Sequence, residues 1–590
     1  MKNLIDLLTE EVSKAFEEAG LDAELGRVGV SNRPDLCEFQ CNGAMAGAKK
    51  YHKNPFEIAE TVASKLQDSK CFESVEAVRP GFLNMKIAPA FLNDFLKEMN
   101  ASEVLGIEKN TDNKTIMVDY GGPNVAKPLH IGHLRSAIIG ESVKRMGRLM
   151  GYNMVGDVHL GDWGLQMGII ITELKNRKPE LVYFDENYTG EYPEEAPFTL
   201  SELEEIYPAA SAKSKEDEAF KAAAMDATFK LQNGNRGYTA IWKHIMRISV
   251  ADLKKNYENL NVSFELWKGE SDADPYIGPM VEKMKQDGFA YESQGALVVD
   301  VNEETDAKEV PPCMILKSDG AALYTTTDLA TLVERVEDYK PDQVIYVVDK
   351  RQQLHFVQVF RAAKKTGIVP ETTKLSFLGF GTMNGKDGKP FKTREGGVMR
   401  LERLISDVND EMYRKMTEND SIALTEEEAK ATAKMVALSA IKYGDLSNQA
   451  SKDYVFDIDK FTSFEGNTGP YIMYTMVRIK SILRKYMEAG GKEDTGMLQM
   501  PQNAEERALM LRLAEYNSTM KNAFEELAPH RVCAYIYELA NCFNRFYHET
   551  KILSEEDEAK KCGWITLLKF ALRVLESCIE VLGMEAPEKM

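Results

Sequence analysis

No stretch of this 590-residue chain carries the run of about eighteen apolar residues that a membrane helix needs. The N-terminal segment NLIDLLTEEVSKAF is amphipathic and acid-bearing, without basic-then-apolar order, so neither a signal peptide nor a membrane span is expected, and the chain should be cytoplasmic. Cysteine is sparse. Eight are scattered, and the closest two, Cys37 and Cys41, lack a second pair at zinc-ligand spacing, so reduced thiols and no structural metal are expected. Positive charge is in deficit, with 73 Lys+Arg against 93 Asp+Glu and a net charge of −20. That excludes a uniformly basic nucleic-acid binder but leaves room for local basic patches. Glu180 to Glu205 holds no lysine or arginine and reads as a solvated insertion. Repeats and low-complexity tracts are missing too, while 44% hydrophobic and 28% charged content is ordinary for a globular chain of several domains.

What is present concentrates in PNVAKPLHIGHLRS, Pro123 to Ser136. TIMVDY before it reads as a buried strand, and Leu134, Ile138, Met146, Leu149 and Met150 after it form an apolar stripe at helical spacing that stops at Gly151. YNMVGDVHL is strand-like again. Strand, loop, helix and strand make a βαβ unit whose first loop lies at the carboxyl end of the first strand, where open parallel sheets bind ligands. The helix amino terminus faces that loop with free N–H groups and a partial positive charge, which suits phosphate and points to ATP. His130 and His133, one in the turn and one at the helix start, can reach one ligand, and Gly132 leaves room for adenine between them.

This stretch resembles the signature of class I aminoacyl-tRNA synthetases in the form carried by the arginyl family. Further blocks follow in that family's order: HLGDWGLQMG from His159, LNVSFELWKGES from Leu260, ALYTTTDLA from Ala322, VVDKRQQLHF from Val347, GKPFKTREGGVMRLERL from Gly388 and FEGNTGPYIMYTMVRIKSIL from Phe464. The resemblance covers nearly the whole chain. It implies a multidomain α/β architecture: an N-terminal α+β domain at 1–110 that contacts the tRNA elbow, a Rossmann-type parallel-sheet catalytic domain at 111–405 with a helical insertion at about 175–290, a helical connecting region at 406–455, and a C-terminal α-helical bundle at 456–590 for the anticodon. QVIYVVD, Gln343 to Asp349, suits a strand covered on both faces. In ELANCFNRFYHET, Leu539, Phe543, Phe546 and Tyr547 share a face that core packing explains by default. Arg478, Lys480, Arg484 and Lys485 form a candidate basic patch.

The implied reaction is arginine–tRNA ligation, with tRNA(Arg), L-arginine and ATP as partners, Mg²⁺ accompanying ATP, and a monomer as the working form. Such chemistry needs in-line positioning and donors around the phosphates, not a protein nucleophile. The catalytic residues are then His130, His133, Lys389 and Lys392, and the ATP-binding residues Pro123, His130, Gly132, His133 and Lys392. Lys389 and Lys392 lie in the glycine-rich basic loop GKDGKPFKTREGG, which resembles the second class I signature imperfectly: they preserve its lysine spacing, but pairing FKTR with MSKS gives Lys392 and Arg394 different roles, so the register stays open. A guanidinium substrate calls for carboxylates and planar acceptors. Tyr324 and Asp328, four apart, fall on one helical face, and the family pattern adds Gln352 to their pocket and Asp119 and Asn124 to the α-amino end. Trp163 is explained equally by packing, and His355 is either a pocket wall or a helix cap.

Overall fold

The computed structural model describes residues 1–389, 399–418 and 424–590. At its centre lies a parallel sheet of β1 (Thr115–Asp119), β2 (Asn153–Asp157), β3 (Gln343–Asp349) and β4 (Lys374–Phe380), in spatial order β4-β3-β1-β2. Between them run α1 (Ile131–Leu149), α2 (Tyr324–Tyr339) and α3 (Gln353–Lys365). Ile116, Met117 and Val118 of β1 and Val344 to Val347 of β3 are buried, because helices cover both faces of a parallel sheet. The register sets Asp119 opposite both Asp157 and Tyr346. The chain order reverses at β1, which opens a crevice at the carboxyl edge between β1 and β3. α1 packs flush because Gly140 lets the Tyr120 ring approach; a Cβ there would stand 2.3 Å from it. Leu134, Ile138 and Met146 point into the core, and Gly151 ends the unit at φ +85°.

Five helices fill the insertion and its margins: Leu165–Arg177, Leu200–Glu216, Glu218–Gln232, Arg236–Asn259 and Glu270–Gln286. The acid-rich stretch from Glu180 is largely the solvated insertion its composition suggests, with most of its acids exposed. It is anchored at a few points: Tyr183 and Phe198 are buried, Glu205 pairs with Arg177 at 2.9 Å, and Glu204 pairs with Arg400 at 3.0 Å. Beyond it stands a three-stranded antiparallel sheet, Ala290–Ser293, Ala296–Val299 and Cys313–Leu316, which local patterning did not disclose because each strand is only four residues long.

The N-terminal unit is a four-stranded antiparallel sheet packed by helices that include Leu4–Glu18 and Pro55–Lys65, and helices dominate from Leu401 to Val581. Polar side chains tie the C-terminal helices to α1 and to one another. Arg135 donates through Nε to Asp445 Oδ2 at 3.0 Å, both buried. Arg145 reaches Glu580 O at 3.2 Å and Asn261 O at 3.1 Å, and Lys442 donates to Gly583 O at 2.8 Å. The eight cysteines are free, six of them buried. No described helix is long and apolar enough to cross a membrane.

Candidate active site

The first loop is tied down by Ser136. Its hydroxyl accepts from Gly121 N at 2.8 Å and donates to Val347 O at 2.7 Å, joining the β1 turn, α1 and β3 through one side chain. Pro123 is buried and Asn124 exposed. Val125 N donates to Gly161 O at 3.1 Å, which holds this turn against the segment after β2. His130 is the N-cap of α1: its Nδ1 accepts from Gly132 N at 3.0 Å, while His133 Nδ1 accepts from His130 N at 3.2 Å. The rings lie 3.9 Å apart and tilted by 32°, in contact with each other. The expected gap for adenine between them does not exist in this state. Gly132 instead makes room for His130, whose Cε1 would be 2.7 Å from a Cβ.

Burial pushes both imidazoles down, His133 to about 3, with the Lys127 charge adding to the effect on each. Both are therefore neutral near pH 7. Because each Nδ1 accepts a backbone hydrogen, each proton sits on Nε2, leaving two neutral N–H donors beside the α1 amino terminus. That arrangement suits phosphoryl oxygens.

The other half of the crevice is anionic. Asp119 ends β1 with its Oδ2 2.6 Å from Arg335 Nη2 of α2, and the same nitrogen lies 2.7 Å from Asp157 Oδ2. Asp119, Asp157 and His159 bring ligand-type atoms within 4.8 Å of one another, yet the guanidinium already stands between the carboxylates, so the group is ion-paired, not a metal centre. Further along α2, Asp328 Oδ2 lies 2.5 Å from His355 Nε2 of α3. Tyr324 is 78% exposed at the start of α2, free to turn over a ligand. Gln352 is exposed and its side chain forms no hydrogen bond among the described residues; His355 is the α3 residue that reaches Asp328.

Sequence reasoning passed over Glu270, the first residue of its helix. Burial pushes its carboxyl up, the Asp162 and Asp328 carboxylates push the same way, and His159 opposes them. Glu270 also raises the Tyr324 hydroxyl, after burial. Glu270 is thus near enough to Asp328 and to Tyr324 for its charge to act on both. The only local signal was its place in KGES at a helix start, where an acid is equally explained by the helix dipole.

Lys389 is exposed in a tight turn closed by Gly385 N on Lys389 O at 2.8 Å; Lys392 and Arg394 lie outside the described residues. Both roots of this loop grip α1. Arg135 Nη1 donates to Gly381 O at 2.7 Å, and Ile131 N donates to Met399 O at 3.1 Å. The basic segment is therefore rooted beside the two histidines.

A cavity of about 610 Å³ lies in the C-terminal helices, lined by Tyr474, Arg478, Lys485, Tyr547 and Lys551 among others. Arg478 stands 4.8 Å from the Tyr474 ring and 5.3 Å from that of Tyr547. Leu539, Phe543 and Phe546 are core, as the stripe suggests. The basic patch is smaller than its composition: Lys480 pairs with Glu588 at 2.5 Å, and Arg484 lies 4.0 Å from Glu488.

Comparison with known proteins accounts for this layout along the whole chain. Residues 96–458 match the family model for tRNA synthetases class I (R), catalytic domain; residues 2–87 match the arginyl tRNA synthetase N terminal domain, and 472–590 the DALR anticodon binding domain. The arginine–tRNA ligase of Agathobacter rectalis is 64% identical and that of Alkaliphilus oremlandii 56%, each over the full length of both chains. Among solved structures, arginyl-tRNA synthetase from Plasmodium falciparum superposes with a TM-score of 0.83 at 26% identity, covering 100% of both chains. The Thermus thermophilus arginyl-tRNA synthetase shares the fold, with a TM-score of 0.80 at 22% identity and the same coverage. With a family model spanning the catalytic domain and relatives this similar from end to end, the chain belongs to the class I arginyl-tRNA synthetases.

Proposed function

We propose that this site activates L-arginine with ATP, releasing pyrophosphate, and passes arginine from the adenylate to the 3′-terminal adenosine of tRNA(Arg). The observation that carries the reading is the pair of neutral imidazole donors at a helix amino terminus on one side of the crevice, with the Asp119 and Asp328 carboxylates on the other. ATP, arriving with Mg²⁺, lies over the Pro123 turn with its phosphates toward His130, His133 and the α1 amides. Arginine lies across the crevice, its guanidinium between Asp328 and Glu270 under Tyr324 and its ammonium toward Asp119 and Asn124. Gln352 turns inward with ligand bound. The carboxylate of arginine then attacks the α-phosphorus in line as pyrophosphate leaves, and charge developing on the phosphoryl oxygens is met by Nε2–H donors, which need not change protonation state. Lys389 and Lys392 neutralise the departing pyrophosphate.

Transfer requires the tRNA 3′ end in the same crevice while the anticodon reaches the C-terminal helices. The cavity flanked by Tyr474, Arg478 and Tyr547 offers rings and a guanidinium plane on which an unstacked base can lie. The chain works as a cytoplasmic monomer in this reading, which the family resemblance supports. The test is charging of bulk tRNA with each amino acid in turn: arginine alone is incorporated, and incorporation of another amino acid, or of none, refutes the assignment.

A further inference from the structure

Arg335 lies inside the crevice but touches no position assigned to ATP or to the guanidinium. It is 2% exposed and binds both carboxylates through one nitrogen, Nη2, at 2.6 and 2.7 Å, while its Nε and Nη1 are buried and make no hydrogen bond among the described residues. A guanidinium placed for stability alone would use its fork on one carboxylate. Here two donors go unused, a costly arrangement for a buried cation, and what it achieves is to clamp two acids from neighbouring strands side by side. The groups facing this guanidinium are Asp119 from β1, Asp157 at the end of β2 with His159 just beyond, and Tyr346 from β3, whose ring centre is 5.5 Å from Cζ.

Two carboxylates and one guanidinium leave one net negative charge. Of the three side chains Asp119 is the most open, at 11% against 2% for each of the others, and only its Oδ2 is engaged by Arg335. The surplus charge therefore faces the crevice through Asp119.

We propose that Arg335 is a positioning residue for the amino-acid substrate: by fixing Asp119 and Asp157 together as carboxylates it leaves one negative charge, which the incoming α-ammonium completes. This rests on the reading above that the ammonium lies at Asp119. Without the guanidinium the two adjacent acids share a proton, as close carboxylates do, and the ammonium has to displace it.

The test uses the full chain with ATP and tRNA, measuring kcat and the KM values for arginine and for ATP between about pH 6 and pH 8. Arg335→Met should raise the arginine KM by about tenfold or more, with the ATP KM little changed, and that KM should fall as pH rises; the wild type should show no such slope. The double variant Arg335→Met/Asp157→Asn restores one net negative charge, so its arginine KM should return to within a few-fold of wild type with the slope gone. If the single variant does not fold, the double variant alone decides. An Arg335→Met protein with wild-type arginine KM and no pH slope overturns the proposal, as does a double variant that fails to fold or is no better than the single. A wild-type chain that does not charge tRNA with arginine would instead overturn the reading on which this rests.

Discussion

His355 Nε2 lies 2.5 Å from Asp328 Oδ2, so a residue of α3 braces the carboxylate that α2 presents to the crevice. The contact occupies one oxygen and fixes the carboxylate plane, leaving the other for a planar donor such as a guanidinium. Pre-orientation of this kind would reduce what a guanidinium ligand must order on binding.

Asp328→Asn keeps the shape and removes the charge. kcat/KM for arginine should fall by roughly 10- to 150-fold, matching the loss of one charged hydrogen bond of about 1.5–3 kcal/mol, while the KM for ATP changes little. Glu270→Gln should act in the same direction. Steady-state charging with varied arginine is the check, and an unchanged arginine KM and turnover would remove both from the pocket.

His133→Ala should lower the single-turnover rate of arginyl-adenylate formation by about 10²–10³-fold, the usual effect of losing one donor to developing charge. The ring also predicts a stability signature. Unfolded, it takes a proton near pH 6.5; folded, burial keeps it neutral down to about 3. Its contribution to stability is therefore complete above pH 6.5 and lost as pH falls through that interval. Thermal melts of wild type and His133→Asn from pH 6.5 to pH 4 should converge as the wild type loses this advantage.

The β1–α1–β2 unit was legible because strand, turn and helix are contiguous, and period, Gly151 and the two histidines report it locally. Asp328 could be found because Tyr324 four residues earlier gave it a face. Arg335, its own helix-mate, could not be read: its partners Asp119 and Asp157 come from strands about 200 positions away, and no local spacing records a bridge set by sheet register. His355, a pocket wall or a helix cap by sequence alone, is carried to Asp328 by the first turn of α3. Composition overstates a basic patch where a partner is non-local, as with Lys480 and Glu588.

Lys442 is fully buried with carbonyl acceptors only, Gly583 O and Asn261 O, and burial pushes its ammonium down from 10.5 to about 7. Between those values the unfolded chain holds a proton that the folded chain has released, so stability rises with pH there, by at most about 1.4 kcal/mol per pH unit. Wild type should gain stability from pH 7 to pH 9 relative to Lys442→Met. Parallel denaturation midpoints over that range would exclude the effect.

Arg478→Ala should raise the KM for tRNA by about tenfold, the equivalent of one lost stacking contact of 1–3 kcal/mol, and leave single-turnover adenylate formation from bound substrates unchanged. Filter binding of tRNA(Arg) checks it; wild-type affinity would make the C-terminal cavity a packing defect.

The most direct test of the arrangement is a structure of the chain with a non-hydrolysable arginyl-adenylate analogue. The account predicts the guanidinium within about 3 Å of both Asp328 and Glu270, the ammonium at Asp119, and the phosphoryl oxygens on Nε2 of His130 or His133. A guanidinium bound elsewhere in the crevice, or phosphoryl oxygens away from both imidazoles, would contradict it.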